Sequence, residues 1–185
     1  MSIIDLDFDT LSGMTPLRNV TYSLGSNLGD RMEYLQGATD LLRQTPGMKV
    51  TGVSSVYETD PVGMGEDSGA FLNLVIVAET TLEPRTLLER AQAIEDAFGR
   101  ERTGNDRWEP RTLDVDLIMV GNTVAEKEDL TLPHPLAHQR GFVLVPWAEV
   151  DPKGELPGQG QVADLAAAVG RDGVVRRDDL AIDRD

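Results

Sequence analysis

Residues 107–120 read RWEPRTLDVDLIMV, and the alternation within them decides the fold. After Pro110 the chain sets Thr112, Asp114, Asp116 and Ile118 against Leu113, Val115, Leu117 and Met119, the period-2 pattern of a strand. Asp114 and Asp116 therefore share one face, and the four apolar residues share the other. Two carboxylates that close raise each other's pKa unless a cation stands between them. A hard divalent ion fits the spacing, because Mg²⁺ is commonly held by one or two carboxylates together with substrate phosphates. The same spacing also fits a half-solvated edge strand with aspartates on its wet side, since D-x-D is a short motif.

The flanking residues favour an anion site. Arg100, Arg102, Arg107 and Arg111 crowd together in a chain with only 17 basic residues and a net charge of −15. Guanidinium groups offer a planar fork suited to phosphate. Carboxylates for a metal beside arginines for phosphates read as a nucleoside triphosphate site. Trp108, among the arginines, is either a stacking plate for a flat ring or a loop anchor packed on the core.

Composition narrows the classes. At 185 residues the chain is one ordinary domain, of a size that buries about 70% of its unfolded surface. Its acidity argues against nucleic-acid binding, which wants a basic face, so an anionic substrate must be captured locally. With no cysteine there is no disulfide, thiolate nucleophile or zinc–thiolate site. No apolar run approaches the roughly 20 residues that span a bilayer, and the N-terminus lacks a signal peptide's basic start and apolar core. The expected location is the cytoplasm, with no membrane partner.

Outward from the central stretch, residues 1–18 form an N-terminal extension with a second D-x-D (Asp5, Asp7, Asp9) that lacks basic neighbours. Residues 19–25 predict a strand, followed by GSNLGDR, in which Ser26 or Asn27 caps a helix carrying Leu28, Met32, Leu35 and Leu42, with Gly47 closing it. No G-x-x-x-x-G-K-[ST] is present, so this is a tight turn with a cap and no P-loop. Residues 50–58 predict a second strand, then a glycine-rich loop, and 70–80 a third, with Phe71 and Asn73 on the face of Val75 and Val77. A buried amide left unpaired costs about 1–3 kcal/mol, so Asn73 needs a ligand edge or a protein group as partner. Pro84 opens a second helix that Gly99 ends, with Leu87, Leu88, Ala91, Ile94 and Phe98 as its buried stripe and Gln92 and Glu95 on its surface. Gly121-Asn122 turns the chain back through Leu130 and Leu132. His134 and His138 are four apart, but the H-E-x-x-H glutamate of a zinc helix is missing. Residues 153–185 read as a loosely attached tail with one helix over Val162 to Val169.

Strand, helix, strand, strand, helix, strand is the split βαβ order. It predicts an α+β, ferredoxin-like antiparallel sheet with helices packed on one face and C-terminal additions. That fold hosts RNA binders, metal chaperones and enzymes, and neither an RNA reader's aromatic stretch nor a Cys-based metal motif is present.

The ordered strings SLGSNLGDR, SSVYETDPVG, FLNLV, RWEPRTLDVDLI and LTLPHPLAHQRGFVLVPW resemble the hydroxymethyldihydropterin pyrophosphokinases of folate biosynthesis over residues 20–152. The resemblance implies a catalytic domain over 19–152. It implies pyrophosphate transfer from ATP to 6-hydroxymethyl-7,8-dihydropterin with release of AMP, and two Mg²⁺ ions on Asp114 and Asp116. By the same resemblance Arg100 and Arg111 handle phosphate at the reacting centre. Phe142 and Trp108 sandwich the pterin, Phe71 lines its pocket, Asn73 bonds its polar edge, and Thr59 and Val62 resemble the backbone positions at that edge. Gln92, Glu95, Arg102, Arg107, Thr131, His134 and Arg140 take the ATP side. The expected protein is a monomer. Glu109 stands where the family usually has glycine, and Leu136 where an arginine is common. The competing readings are a ferredoxin-like nucleotide or metal-binding module without turnover, and a Mg²⁺-dependent phosphohydrolase.

Overall fold

The computed structural model describes residues 15–60, 69–99 and 113–184. In chain order these form β1 (Arg18–Ser26), α1 (Arg31–Arg43), β2 (Met48–Val53), β3 (Tyr57–Thr59), β4 (Phe71–Thr80), α2 (Pro84–Ala97), β5 (Asp114–Val120), β6 (Ala125–Lys127), β7 (Leu130–Leu132), α3 (Gly141–Val150), β8 (Glu155–Leu156), β9 (Gly160–Gln161), α4 (Val162–Val169) and β10 (Val174–Arg176). The main sheet runs β10-β3-β4-β1-β5, with β2 also paired to β4. Its pairings are all antiparallel, so the architecture is α+β.

Alternation along β1 and β4 sorts their side chains into two layers. Val20, Tyr22, Leu24, Leu72, Leu74, Ile76 and Ala78 pack on Leu35, Ala38 and Leu42 of α1 and on Leu87, Ala91 and Ile94 of α2. Tyr22 closes its own polar account by donating its hydroxyl to the Leu87 carbonyl at 3.2 Å, and burial pushes its phenol pKa far up. The opposite face is also covered: Val75, Ile118 and Met119 meet Val143, Leu144 and Trp147 of α3 and Val162 of α4. The two helices of the split βαβ order thus share one face, as expected, and the C-terminal additions cover the other. Residues 142–147, FVLVPW, are apolar almost all round the helix, and such a helix must be enclosed.

Three local readings change. β5 keeps its alternation only as far as Leu117. A bulge opposite Thr21 and Tyr22 inserts Ile118, which flips the phase, so Met119 joins Ile118 in the second layer and Val120 returns to the first. The strand expected over 50–58 is two, β2 and β3, separated at Ser54. There the Ser54 N–H donates to the Val75 carbonyl and the Ser54 hydroxyl accepts from the Val75 N–H, both at 2.9 Å. The cap of α1 is Asp30, accepting from the Glu33 N–H at 3.0 Å, rather than Ser26 or Asn27. Leu28 lies ahead of the helix and is exposed.

Residues 153–184 are not loosely held. α4 forms where expected, and β10 pairs with β3 to become an edge of the main sheet. No described helix is long and apolar enough to cross a membrane.

Candidate active site

The strand register brings Asp114, Asp116, Asn73, Phe71 and Thr59 onto one face. Asp114 lies opposite Gly25, Gly25 opposite Asn73, and Asn73 opposite Tyr57. The next row runs from Asp116 through Ser23 to Val75, and Thr59 faces Phe71 one row the other way. Asp114 and Asn73 are thus two strand spacings apart, about 10 Å. This is the α3 face, where Phe142 packs against the apolar cluster.

At one end the polar groups are already paired. Asn73 and Thr59 are both buried, and the Asn73 amide donates to Thr59 Oγ1 at 2.6 Å. Asn73 therefore finds its partner in a protein group, and Thr59 Oγ1 is held in place by it. Gly25 makes this possible, because a Cβ there would lie 2.8 Å from Asn73 Oδ1. A glycine inside a strand signals such a close approach, and the S-L-G-S-N string carries that signal. We expect Gly25→Ala to push the Asn73 amide off Thr59. For the pterin that the resemblance implies, the KM should rise about tenfold with the melting temperature lowered by a few degrees, and steady-state kinetics alongside a thermal melt checks both.

At the other end sit the charges. Asp116 Oδ2 is 3.9 Å from Arg140 Nη1, with both side chains under a third exposed, and the Arg140 guanidinium lies 5.5 Å from the centre of the Phe142 ring. His134 docks its backbone on β5, donating its N–H to the Ile118 carbonyl at 2.8 Å. Its Nδ1 accepts from the Leu136 N–H at 3.2 Å, which leaves the ring proton on Nε2 as a donor for an anion. Burial, then the Arg140 charge, lower the His134 pKa to about 4, against a smaller opposing pull from Asp114. Between about 6.5 and 4 the unfolded chain binds a proton that the folded chain does not, so stability falls as pH drops through that window. His134→Gln should reduce the loss between pH 7 and 5 by about 1–2 kcal/mol, measured by urea denaturation at both pH values.

Glu95 is placed differently from its sequence reading. It is only 3% exposed, and its Oε1 accepts the Val115 N–H at 2.8 Å. It ties α2 to the backbone between the two aspartates instead of standing on the helix surface. Gln92, one turn earlier, is half-buried, and Thr131 is exposed on β7 between Leu130 and Leu132. His134 precedes the 3₁₀ turn Ala137–Gln139 that contains His138, so the two histidines do not share a helix. Val62, Arg100, Arg102, Arg107, Trp108, Glu109 and Arg111 lie outside the described residues. A cleft of about 230 Å³ bordered by Arg43, Ser55, Glu149 and Arg177 contains none of the predicted site residues.

The donor set suits Mg²⁺. Asp114 and Asp116 offer hard carboxylate oxygens from one half-buried face, and Mg²⁺ takes one or two carboxylates while keeping waters and phosphate oxygens. Among the described residues no group of three metal-ligating side chains converges.

The chain is a member of the 7,8-dihydro-6-hydroxymethylpterin-pyrophosphokinase (HPPK) family, whose model matches residues 21–152. It is 47% identical over 135 residues to the 2-amino-4-hydroxy-6-hydroxymethyldihydropteridine pyrophosphokinase of Bacillus subtilis (strain 168), covering 72% of this chain and 79% of that one. The enzyme of the same name from Mycobacterium tuberculosis (strain ATCC 25618 / H37Rv) is 47% identical over 150 residues, 76% of each chain. Among solved structures, a triple mutant of Plasmodium falciparum HPPK-DHPS with pteroate superposes with a TM-score of 0.65 at 14% identity. That match covers 90% of this chain and 48% of the other, and it speaks for the fold alone.

Proposed function

We propose that this chain transfers pyrophosphate from ATP to the hydroxymethyl group of 6-hydroxymethyl-7,8-dihydropterin, releasing AMP, in folate biosynthesis. The observation that carries the reading is the family match over residues 21–152, a span that includes every described residue of the shared face. The pterin hydroxyl oxygen attacks the β-phosphorus, and the bond from that phosphorus to the α–β bridging oxygen breaks. AMP leaves with the bridging oxygen, and the hydroxyl proton passes to water.

This chemistry asks for positioning and charge neutralisation more than for a strong base. Thr59 and Asn73, paired at 2.6 Å, would present a fixed polar edge to the pterin, with Phe71 and Phe142 supplying apolar contact and Val62 and Trp108 completing the pocket. Arg140 and the Nε2–H of His134 would meet the triphosphate, with Gln92, Glu95, Thr131, Arg102 and Arg107 on the nucleotide side and Arg100 and Arg111 at the transferring group. Asp114 and Asp116 would hold Mg²⁺, as two ions on the resemblance. Bound Mg²⁺ neutralises triphosphate charge.

The strand order β5-β1-β4-β3, with antiparallel neighbours and a helix after β1 and after β4, supports the ferredoxin-like assignment. A cytoplasmic monomer, with ATP drawn from the cytoplasm, completes the proposal. The test is product analysis after incubation with ATP, Mg²⁺ and the dihydropterin. Pterin-dependent AMP is the expected result; ADP, or AMP formed without pterin, would overturn the assignment.

A further inference from the structure

The family match ends at residue 152, yet the chain beyond it is stitched into the substrate end of the sheet. β10 sets Val174 opposite Thr59, Val175 opposite Glu58 and Arg176 opposite Tyr57. The next residue continues the attachment: the Arg177 N–H donates to the Val56 carbonyl at 2.9 Å, and its guanidinium donates to Glu58 Oε2 at 2.7 Å. Farther on, Ile182 is buried in the first core layer with Leu180 against it. Asp183 is fixed at both backbone groups, its N–H donating to Gln36 Oε1 and its carbonyl accepting from Arg43 Nη1, each at 2.8 Å. The segment therefore runs from β3 to α1 as a strap.

Val174 also touches the other wall of the site. A Cβ on Gly141, the first residue of α3, would meet Val174 Cγ2 at 3.3 Å and the Gly170 carbonyl at 3.4 Å. Gly141 directly precedes Phe142. One residue of the strap is thus paired with the strand position of Thr59 and packed on the helix start that carries Phe142.

We infer that residues 174–184 are a positioning strap for the pterin half of the site, holding β3 in register against the start of α3. β3 is only three residues long, and without β10 it would be a short edge strand of the kind that opens locally at low cost. The Asn73–Thr59 hydrogen bond needs β3 in place. Asp114 and Asp116 lie at the opposite edge of the sheet, with β4 and β1 between, so loosening the strap should weaken pterin binding and leave the nucleotide end alone.

The inference rests on the proposed function, so its test has two arms, both in the full chain. Val174→Gly removes the side chain against Gly141, and Arg177→Ala removes the link to Glu58. Each should raise the KM for the dihydropterin about five- to twentyfold with kcat and the KM for ATP within about twofold, and Arg177→Lys should recover part of the loss. Hydrogen exchange should show faster exchange at Tyr57 to Thr59 with β5 unchanged. Equal rises in both KM values, a fall in kcat alone, or an unchanged pterin KM would overturn the inference. So would unaltered exchange at β3. A wild-type chain without pterin-dependent AMP would instead overturn the function itself, and the exchange arm would still report whether the strap clamps β3.

Discussion

Asp114→Asn or Asp116→Asn should lower kcat/KM by about 10³-fold or more, some 4 kcal/mol of transition-state stabilisation, in a protein that stays folded. The two side chains share a half-buried face of β5, separated only by Val115, whose side chain points into the first core layer. Two anions so placed repel unless cations stand with them, and Arg140, at 3.9 Å from Asp116, is one group that answers this charge. Asparagine keeps the shape and removes the negative oxygen that a hard divalent ion needs. Because repulsion is relieved as well, the melting temperature should stay level or rise by a few degrees, so lost activity could not be ascribed to unfolding. Raising Mg²⁺ should recover part of the rate in Asp116→Asn before it does so in Asp114→Asn, since Arg140 can still neutralise phosphate beside position 116. AMP formation at several Mg²⁺ concentrations, with circular-dichroism melts, reads all of this. Near-wild-type turnover in either variant would remove the metal from these residues.

Those two aspartates were legible because a strand's side-chain period depends on the strand alone, and D-V-D needs no partner to put both carboxylates on one side. The bulge at Ile118 was not, because it exists only in the pairing with Thr21 and Tyr22, and no residue of DLIMV marks it. Pro84 and Gly99 bounded α2 correctly, since a fixed φ suits a first turn and a positive φ of 76° suits glycine at an end. Glu95 was misread on the same helix. Helical spacing puts it beside Gln92, but whether that side faces water depends on what packs there, and β5 does. Asp30 with Glu33 three residues later was a readable start signal for α1, masked by the serine and asparagine ahead of it. β10 had least to read: Val174, Val175 and Arg176 become a strand because β3 offers them an open edge. The face shared by Asp114, Asp116 and Asn73 was therefore visible in the strand periods, while Gly25, Glu95 and Val174 act through contacts that only the folded chain creates.

The largest loss of stability is expected at Trp147. It is fully buried in α3, within the cluster formed by Val75, Ile118, Met119, Val143, Leu144, Leu156 and Val162, so it joins the sheet, α3 and α4. Removing so large a side chain from a packed layer costs about 3–5 kcal/mol, because the surroundings close only partly over the void. Against a total stability of roughly 5–15 kcal/mol, that is a large share. Trp147→Ala should therefore lower the melting temperature by about 6–20 °C for a chain of this size. The indole Nε1–H is buried with no acceptor among the described residues, and an unpaired buried donor itself costs about 1–3 kcal/mol. Trp147→Phe removes that donor while keeping a ring in the layer, so its loss should stay below about 2 kcal/mol, well short of the alanine variant. Urea denaturation followed by circular dichroism separates the cases. Comparable large losses in both variants would mean that ring volume dominates and the unpaired N–H costs little. A loss below about 1 kcal/mol in Trp147→Ala would mean that α3 is held by other contacts. Since α3 also carries Phe142 at its start and is preceded by Arg140, the alanine variant should lose affinity for both substrates before it unfolds, whereas the phenylalanine variant should keep both.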